Sequence, residues 1–241
     1  MKKKNIVHVI TRLINGGADE NTVISCNYSI SVGNNVSLIM GSNADKEILN
    51  KLDKKVNLIT VKNLIRSINP YKDILALIHV RKEIKKLSPD IVHTHTSKAG
   101  FIGRLAAWLS GVPLIVHTVH ILPFINENFI MKILYLLLEK LIAIVTDKYI
   151  NVSSGMMETS LRYKVGTKAK HSIIYSAFDT LKFRDAIYSN NLNELSVNKK
   201  IFKNKKIILM IGAFEKRKRH RELVDIFNKV LKNYSNALLL L

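Results

Sequence analysis

The 241-residue sequence carries a formal net charge of +20, 47% hydrophobic residues and one cysteine, Cys26. That apolar fraction suits a packed core and excludes a globally disordered chain, the lone cysteine excludes an internal disulfide, and no stretch reaches the roughly 18 uninterrupted apolar residues of a spanning helix. The charge bears on partners and not on fold: an anionic membrane surface or an anionic substrate is expected, and nucleic acid is not, because zinc-finger spacing, an RNP-like aromatic run and a recognition helix are all missing.

Met1 to Ile10 has a basic start and a short apolar run that turns polar at Thr11 and Arg12. It reads as a buried first strand over Asn5 to Ile10 and not as a secretory h-region, so a reducing cytoplasm is the expected compartment. Asn15-Gly16-Gly17 turns the chain into a helix over Ala18 to Val32, closed by Gly33 as a C-cap. Asn35 to Gly41 and Val56 to Val61 read as strands. Asp73 to Leu87 reads as a helix stopped by Pro89. Asp90 to His95 is a strand with a polar tip. Ala99 to Leu109 is a helix whose small residues, Gly100, Gly103, Ala106 and Ala107, permit close packing. Leu114 to Thr118 is a buried strand ending at Val119-His120. Phe129 to Val145 is an apolar stretch interrupted by Lys132, Glu139 and Lys140. It reads as a half-buried amphipathic helix, with a helix lying on a membrane surface as the alternative. Asp147 to Val152 and Ser172 to Tyr175 complete the set of strands.

Short β-branched runs alternating with longer helices imply an α/β fold with a parallel sheet. Residues 1–187 read as the first domain, and the polar stretch 188–206 as a linker. The pattern restarts at Ile207 to Ile211 (strand), Gly212 (turn), Glu222 to Leu231 (helix) and Ala237 to Leu241 (strand). That is one β-α-β unit of a second domain.

In open parallel sheets ligands bind beyond the carboxyl ends of the strands. Gly16-Gly17, His93-Thr94-His95, His120 and Ser153 all fall at such ends. Gly16 and Gly17 give backbone amides close access to an anion at a helix N-terminus, though taken alone the pair fits a plain tight turn better. His93, His95, His117 and His120 lie close in sequence, but metal-ligand spacing and nearby carboxylates are lacking, so no metal is expected. His93 and His95 share one face of a strand, while His117 and His120 do not. A G-x-S-x-G elbow is also missing, and Cys26 reads as core.

Thr11 to Glu20 (T-R-L-I-N-G-G-A-D-E), Pro89 to Arg104 (P-D-I-V-H-T-H-T-S-K-A-G-F-I-G-R) and Gly111 to His120 (G-V-P-L-I-V-H-T-V-H) resemble the family 4 glycosyltransferases, above all those that build bacterial capsular and other surface polysaccharides. The resemblance implies a GT-B fold of two Rossmann-like domains, the first receiving the acceptor and the second holding a nucleotide-sugar donor. It further implies sugar transfer from a nucleoside diphosphate with retention, no cofactor and no metal, and a glycan or lipid-linked acceptor at the inner membrane face. Carried over by position, His120 matches the active-site histidine, Gly16 and Gly17 the residues approaching the donor diphosphate, and Lys218 the diphosphate lysine; His95, Thr94 and Ser153 are further candidates for the substrate cleft. Ala213 stands where the family usually has Arg, Ile121 where it has Gly, and Tyr175-Ser176-Ala177-Phe178-Asp179 where it has Y-N-G-x-D. The resemblance places the C-terminal E-x7-E segment beyond Leu241. Alternatives are a nucleotide-sugar epimerase of the same fold, or an acceptor-side module whose partner chain supplies the donor half.

Overall fold

The computed structural model describes residues 2–125, 127–178, 180, 184 and 199–241. The chain divides into two compact units, Met1–Phe178 and Asp179–Leu241. Most of the expected linker, residues 188–198, lies outside the described residues.

The first unit is built on seven parallel strands: β1 (Asn5–Ile10), β2 (Asn35–Met40), β3 (Asn57–Thr60), β4 (Ile91–Thr94), β5 (Leu114–Val119), β6 (Lys148–Asn151) and β7 (His171–Ile173), in the order β3-β2-β1-β4-β5-β6-β7. The chain moves outward from β1 to β2 and β3, crosses back, and then moves outward the other way from β4. The strand order therefore reverses between β1 and β4, the place where open sheets of this kind bind ligands. β1 and β2 are continuous apolar runs because both of their faces are covered. Val7 and Val9 pack with α3 (Pro70–Leu87) and α4 (Ser97–Trp108) on one face. Ile10 packs with Val23 and Cys26 of α1 (Gly17–Ser31) and Ile48 of α2 (Lys46–Asn50) on the other. Cys26 is fully buried there, and burial pushes its thiol up to about 12, which makes it an inert core residue.

Local chemistry explains the helix boundaries. Gly33 has φ +89°, the left-handed conformation that ends α1. α3 begins three residues before the expected start, since Pro70 occupies the first turn, where its missing N–H costs nothing, and Asn69 Oδ1 caps Lys72 N at 3.0 Å. The small residues of α4 are needed for its approach to the sheet. A Cβ on Gly100 would lie 2.6 Å from His117, and one on Gly103 would lie 2.7 Å from Thr94. α5 (Phe129–Ala143) and α6 (Ser154–Arg162) cover β5 and β6 through Tyr135, Leu136, Ala143, Met156 and Tyr149. α2 and α6 are additions to the expected elements; α2 is a single short turn, and α6 is a short mixed helix that packs through Met156.

Arg104 of α4 is fully buried and joins these layers. Its guanidinium donates to both carboxylate oxygens of Glu139 on α5 (3.1 and 3.0 Å), to Gly100 O, to Thr146 Oγ1 and to Tyr149 Oη. Removing one partner of such a buried pair costs about 3–5 kcal/mol, because the other charge is stranded. Arg104 is thus a structural residue of the Pro89 to Arg104 segment.

The second unit contains β8 (Lys206–Leu209) and β9 (Ala237–Leu240), which pair in parallel across the amphipathic helix α7 (His220–Leu231). This is the β-α-β pattern expected after the linker.

Candidate functional site

Strand register decides which side chains meet at the β1–β4 switch point. His8 is paired with His93, and His93 with Val116. Because side chains alternate along a strand, His8, His93, His95 and Thr118 share one face. His93 Nε2 meets Thr118 Oγ1 at 2.7 Å. His8 Nδ1 meets His95 Nε2 at 3.0 Å, and His95 Nδ1 meets His120 Nε2 at 3.3 Å. The His93 and His95 ring centroids are 4.3 Å apart. Burial holds all four imidazoles below their ordinary value, His8 and His120 at about 4. They are neutral at physiological pH, with His8 and His95 enclosed and His120 partly open to solvent.

The opposite face carries Thr94 and His117. Thr94 Oγ1 contacts His117 Nδ1 at 2.9 Å and donates to Val116 O at 3.2 Å, and the residue is fully buried against α4. Thr94 is therefore a packing residue on the α4 side and not part of an open cleft. Ser153 is likewise occupied: its Oγ accepts from Met156 N at 3.2 Å and caps α6.

Two further features mark the carboxyl edge. Thr96, between β4 and α4, has φ 60° and ψ 163°. That region is essentially reserved for glycine and costs about 1–3 kcal/mol elsewhere. Its hydroxyl meets Thr11 Oγ1 at 2.8 Å, and Thr11 Oγ1 accepts from Ala99 N at 3.2 Å, so the ends of β1 and β4 are tied together. Gly16 is the N-cap of α1 and, having no side chain, leaves the first-turn amides uncapped from that position. The Asp19 carboxylate folds back toward this turn: a Cβ on Gly16 would lie 2.9 Å from Asp19 Oδ2. Burial raises the Asp19 carboxyl to about 6, against the opposing pull of the Ile14 amide and the Arg12 charge.

Lys218 belongs to the second unit, in the turn Lys216–Lys218 before α7. Its side chain lies over Gly212, whose ideal Cβ would be 3.8 Å from Lys218 Cδ. The glycine and the lysine of the G-A-F-E-K-R-K segment thus form one local structure.

Among the described residues, His8, His93 and His95 form the one group whose potential metal-ligand atoms all lie within 4.8 Å of one another. Two of those rings are hydrogen-bonded to each other through the nitrogens facing inward, and the third uses Nε2 on Thr118. The donor set contains no carboxylate to balance a cation's charge.

The sequence brought forward His95, His120, Gly16 and Gly17, and the structure places all four along the carboxyl edge near the switch point. His8, Thr96 and Asp19 had not been singled out. His8 is hidden in an apolar strand, and only its pairing with His93 reveals it. The strained Thr96 backbone leaves no mark on composition.

Residues 15–181 match Glycosyltransferase Family 4. Over 183 residues the chain is 33% identical to the UDP-Gal:alpha-D-GlcNAc-diphosphoundecaprenol alpha-1,3-galactosyltransferase of Escherichia coli, a match covering 76% of this chain and 47% of that protein. Over 177 residues it is 25% identical to the capsular polysaccharide biosynthesis glycosyltransferase CapM of Staphylococcus aureus, covering 73% of this chain and 46% of that one. The chain spans about half the length of these curated relatives. Among solved structures, the sucrose-phosphate synthase of Thermosynechococcus elongatus superimposes with a TM-score of 0.70 at 15% identity, over 98% of this chain and 61% of that one. Anabaena HepE, crystallised with UDP and glucose, gives 0.68 at 13% identity, over 98% of this chain and 60% of that one. At such low identity these likenesses show the fold, which is that of GT-B glycosyltransferases. The family match runs from the glycine turn through the edge that carries His95 and His120, and on these grounds the chain belongs to glycosyltransferase family 4.

Proposed function

We propose that this chain forms the acceptor-side part of a retaining glycosyltransferase that moves a sugar from a nucleoside diphosphate to a lipid-linked glycan in bacterial surface-polysaccharide assembly. The observation that carries this reading is the His120 imidazole, neutral and partly open, held at the carboxyl edge of β5 by His95 beside the β1–β4 switch point. The names of the two relatives point the same way, one for a diphosphoundecaprenol-linked acceptor and the other for a capsular polysaccharide.

In this reading the departing diphosphate gains negative charge in the transition state, and fixed dipoles and cations stabilise it. The amides at Gly16 and Gly17, aligned with the α1 dipole, supply the first. Lys218, within the second unit, is the candidate cation by its match to the family's diphosphate lysine, a role that needs no bound metal. His120 contacts the transferred sugar. The acceptor lipid lies at an anionic membrane surface, toward which the net charge of +20 draws the protein. α5 supplies an apolar contact with that surface through the exposed Phe129, Ile130, Leu137 and Leu141.

Calorimetric titration of the chain with UDP- and GDP-sugars tests the donor reading. Micromolar binding is expected, weakened about 10- to 100-fold in Lys218→Ala, as loss of a charge-assisted hydrogen bond predicts. Weaker sugar discrimination is expected in His120→Ala. No binding to any nucleotide would remove the donor site from this chain and direct the search to a partner that supplies it.

A further inference from the structure

Three imidazoles form an unbroken row from the middle of the sheet to its carboxyl edge. His8 Nδ1 faces His95 Nε2 at 3.0 Å, and His95 Nδ1 faces His120 Nε2 at 3.3 Å. The His8 and His95 rings are nearly parallel, 16° apart, and their centroids are 5.3 Å apart, so the rings meet edge to edge. The titratable neighbours acting on His95 are other histidines, His93, His8, His120 and His117, and none is a carboxylate. A neutral imidazole has one N–H and one bare nitrogen. In a row of neutral rings joined nitrogen to nitrogen, the tautomer of one ring therefore fixes the tautomers of all.

Only two polarities satisfy both contacts. In the inward polarity His120 Nε2–H donates to His95 Nδ1, and His95 Nε2–H donates to His8 Nδ1. His8 Nε2 must then carry a hydrogen. In the outward polarity His8 Nδ1–H donates to His95 Nε2, His95 Nδ1–H donates to His120 Nε2, and His8 Nε2 is bare. His8 Nε2 is buried without a hydrogen-bond partner. An orphaned buried N–H is the rarer and costlier defect, whereas an acceptor left unsatisfied is better tolerated. The outward polarity is thus favoured, and it leaves the proton of His120 on Nδ1, a nitrogen without a hydrogen-bond partner among the described residues.

We propose that His8 and His95 are positioning residues that hold His120 as its Nδ1–H tautomer, so that it meets its ligand as a neutral hydrogen-bond donor and not as a base. The assignment rests on the reading of His120 as the residue that contacts the transferred sugar. A neutral donor suits that place, because it stabilises charge developing on oxygen without any proton uptake. Imidazole side chains free in water prefer the opposite, Nε2–H form, so the row imposes a tautomer that the residue would not choose alone.

The test is long-range 1H–15N correlation spectroscopy of the uniformly labelled chain at neutral pH, with His120 assigned by a His120→Gln variant. The expected result is a pyrrole-like Nδ1 and a pyridine-like Nε2 at His120. His95→Phe, which keeps the ring volume and removes both nitrogens, is expected to return His120 to the Nε2–H form, and His8→Phe to give a mixture. An Nε2–H tautomer in the unaltered chain would overturn the proposal, and that spectrum decides without any variant needing to fold. So would an Nδ1–H tautomer that survives in a folded His95→Phe variant, or stoichiometric zinc uptake that shifts His8, His93 and His95 together. Titrating UDP-sugars into the same sample separates the two readings: no binding with Nδ1–H intact would sink the donor site and leave the tautomer assignment standing.

Discussion

Burial is the largest cause of the lowered imidazole values at His8, His93, His95, His117, His120 and His171. Each binds a proton more readily in the unfolded chain, so stability rises with pH wherever the two states differ in protonation. For His8 and His120 this window runs from the ordinary value of 6.5 down to about 4. Each contributes on the order of 3 kcal/mol that is present above pH 6.5 and lost as the pH falls through the window. Asp19, raised to about 6, acts in the opposite direction between its unfolded value and pH 6 and offsets part of the loss. Urea unfolding followed by Trp108, the one tryptophan of the chain and a residue of α4, should therefore show stability dropping steeply between pH 6.5 and 4. A flat profile over that range would mean that the histidines are protonated in place. At this scale the sequence brought forward candidates such as His95 and His120, which the structure places at the carboxyl edge. It did not show His8, since a histidine in an apolar strand has no distinguishing neighbour until β1 and β4 are paired.

Element by element, hydrophobic periodicity and capping residues account for most of the first unit. α5 is the element whose surroundings were not legible. Its Phe129 is 77% exposed and Ile130 76%, and Leu137 and Leu141 continue the same face. The buried side is held by Glu139 on Arg104 and by Ile142 and Ala143. Among the described residues no helix is long and apolar enough to cross a membrane, and the proposed membrane contact would instead lay the apolar face of α5 in the interface. Co-sedimentation with vesicles containing phosphatidylglycerol should fall about tenfold in a Phe129→Ser/Leu137→Ser double variant, with a smaller loss on neutral vesicles. Equal sedimentation of both proteins would assign the apolar face to another occupant. α2 and α6 escaped the sequence because each is too short to show a helical apolar period, and α6 is announced only by its cap, Ser153.

The molecule as a whole consists of two units of unequal size. The first, Met1–Phe178, has a seven-stranded sheet with helices on both faces. The second pairs only two described strands, and its Ile211 is 87% exposed and Phe214 78%. Its strands and helix leave most of their apolar side chains in water, so little burial offsets the entropy of ordering them. Limited trypsin digestion of the isolated chain should thus remove 207–241 well before it cuts the first unit, and equal survival of both would show that the second unit is stable by itself. The sequence by itself determined the alternation of strand and helix, the glycine turn into α1, the close-packing glycines of α4 and the family motifs, because each depends on neighbours within a few positions. Only the tertiary structure decided the strand order that puts β1 beside β4 and the register that sets His8 against His93. Those depend on pairing across more than eighty residues, and a one-residue slip would send every one of these side chains to the opposite face.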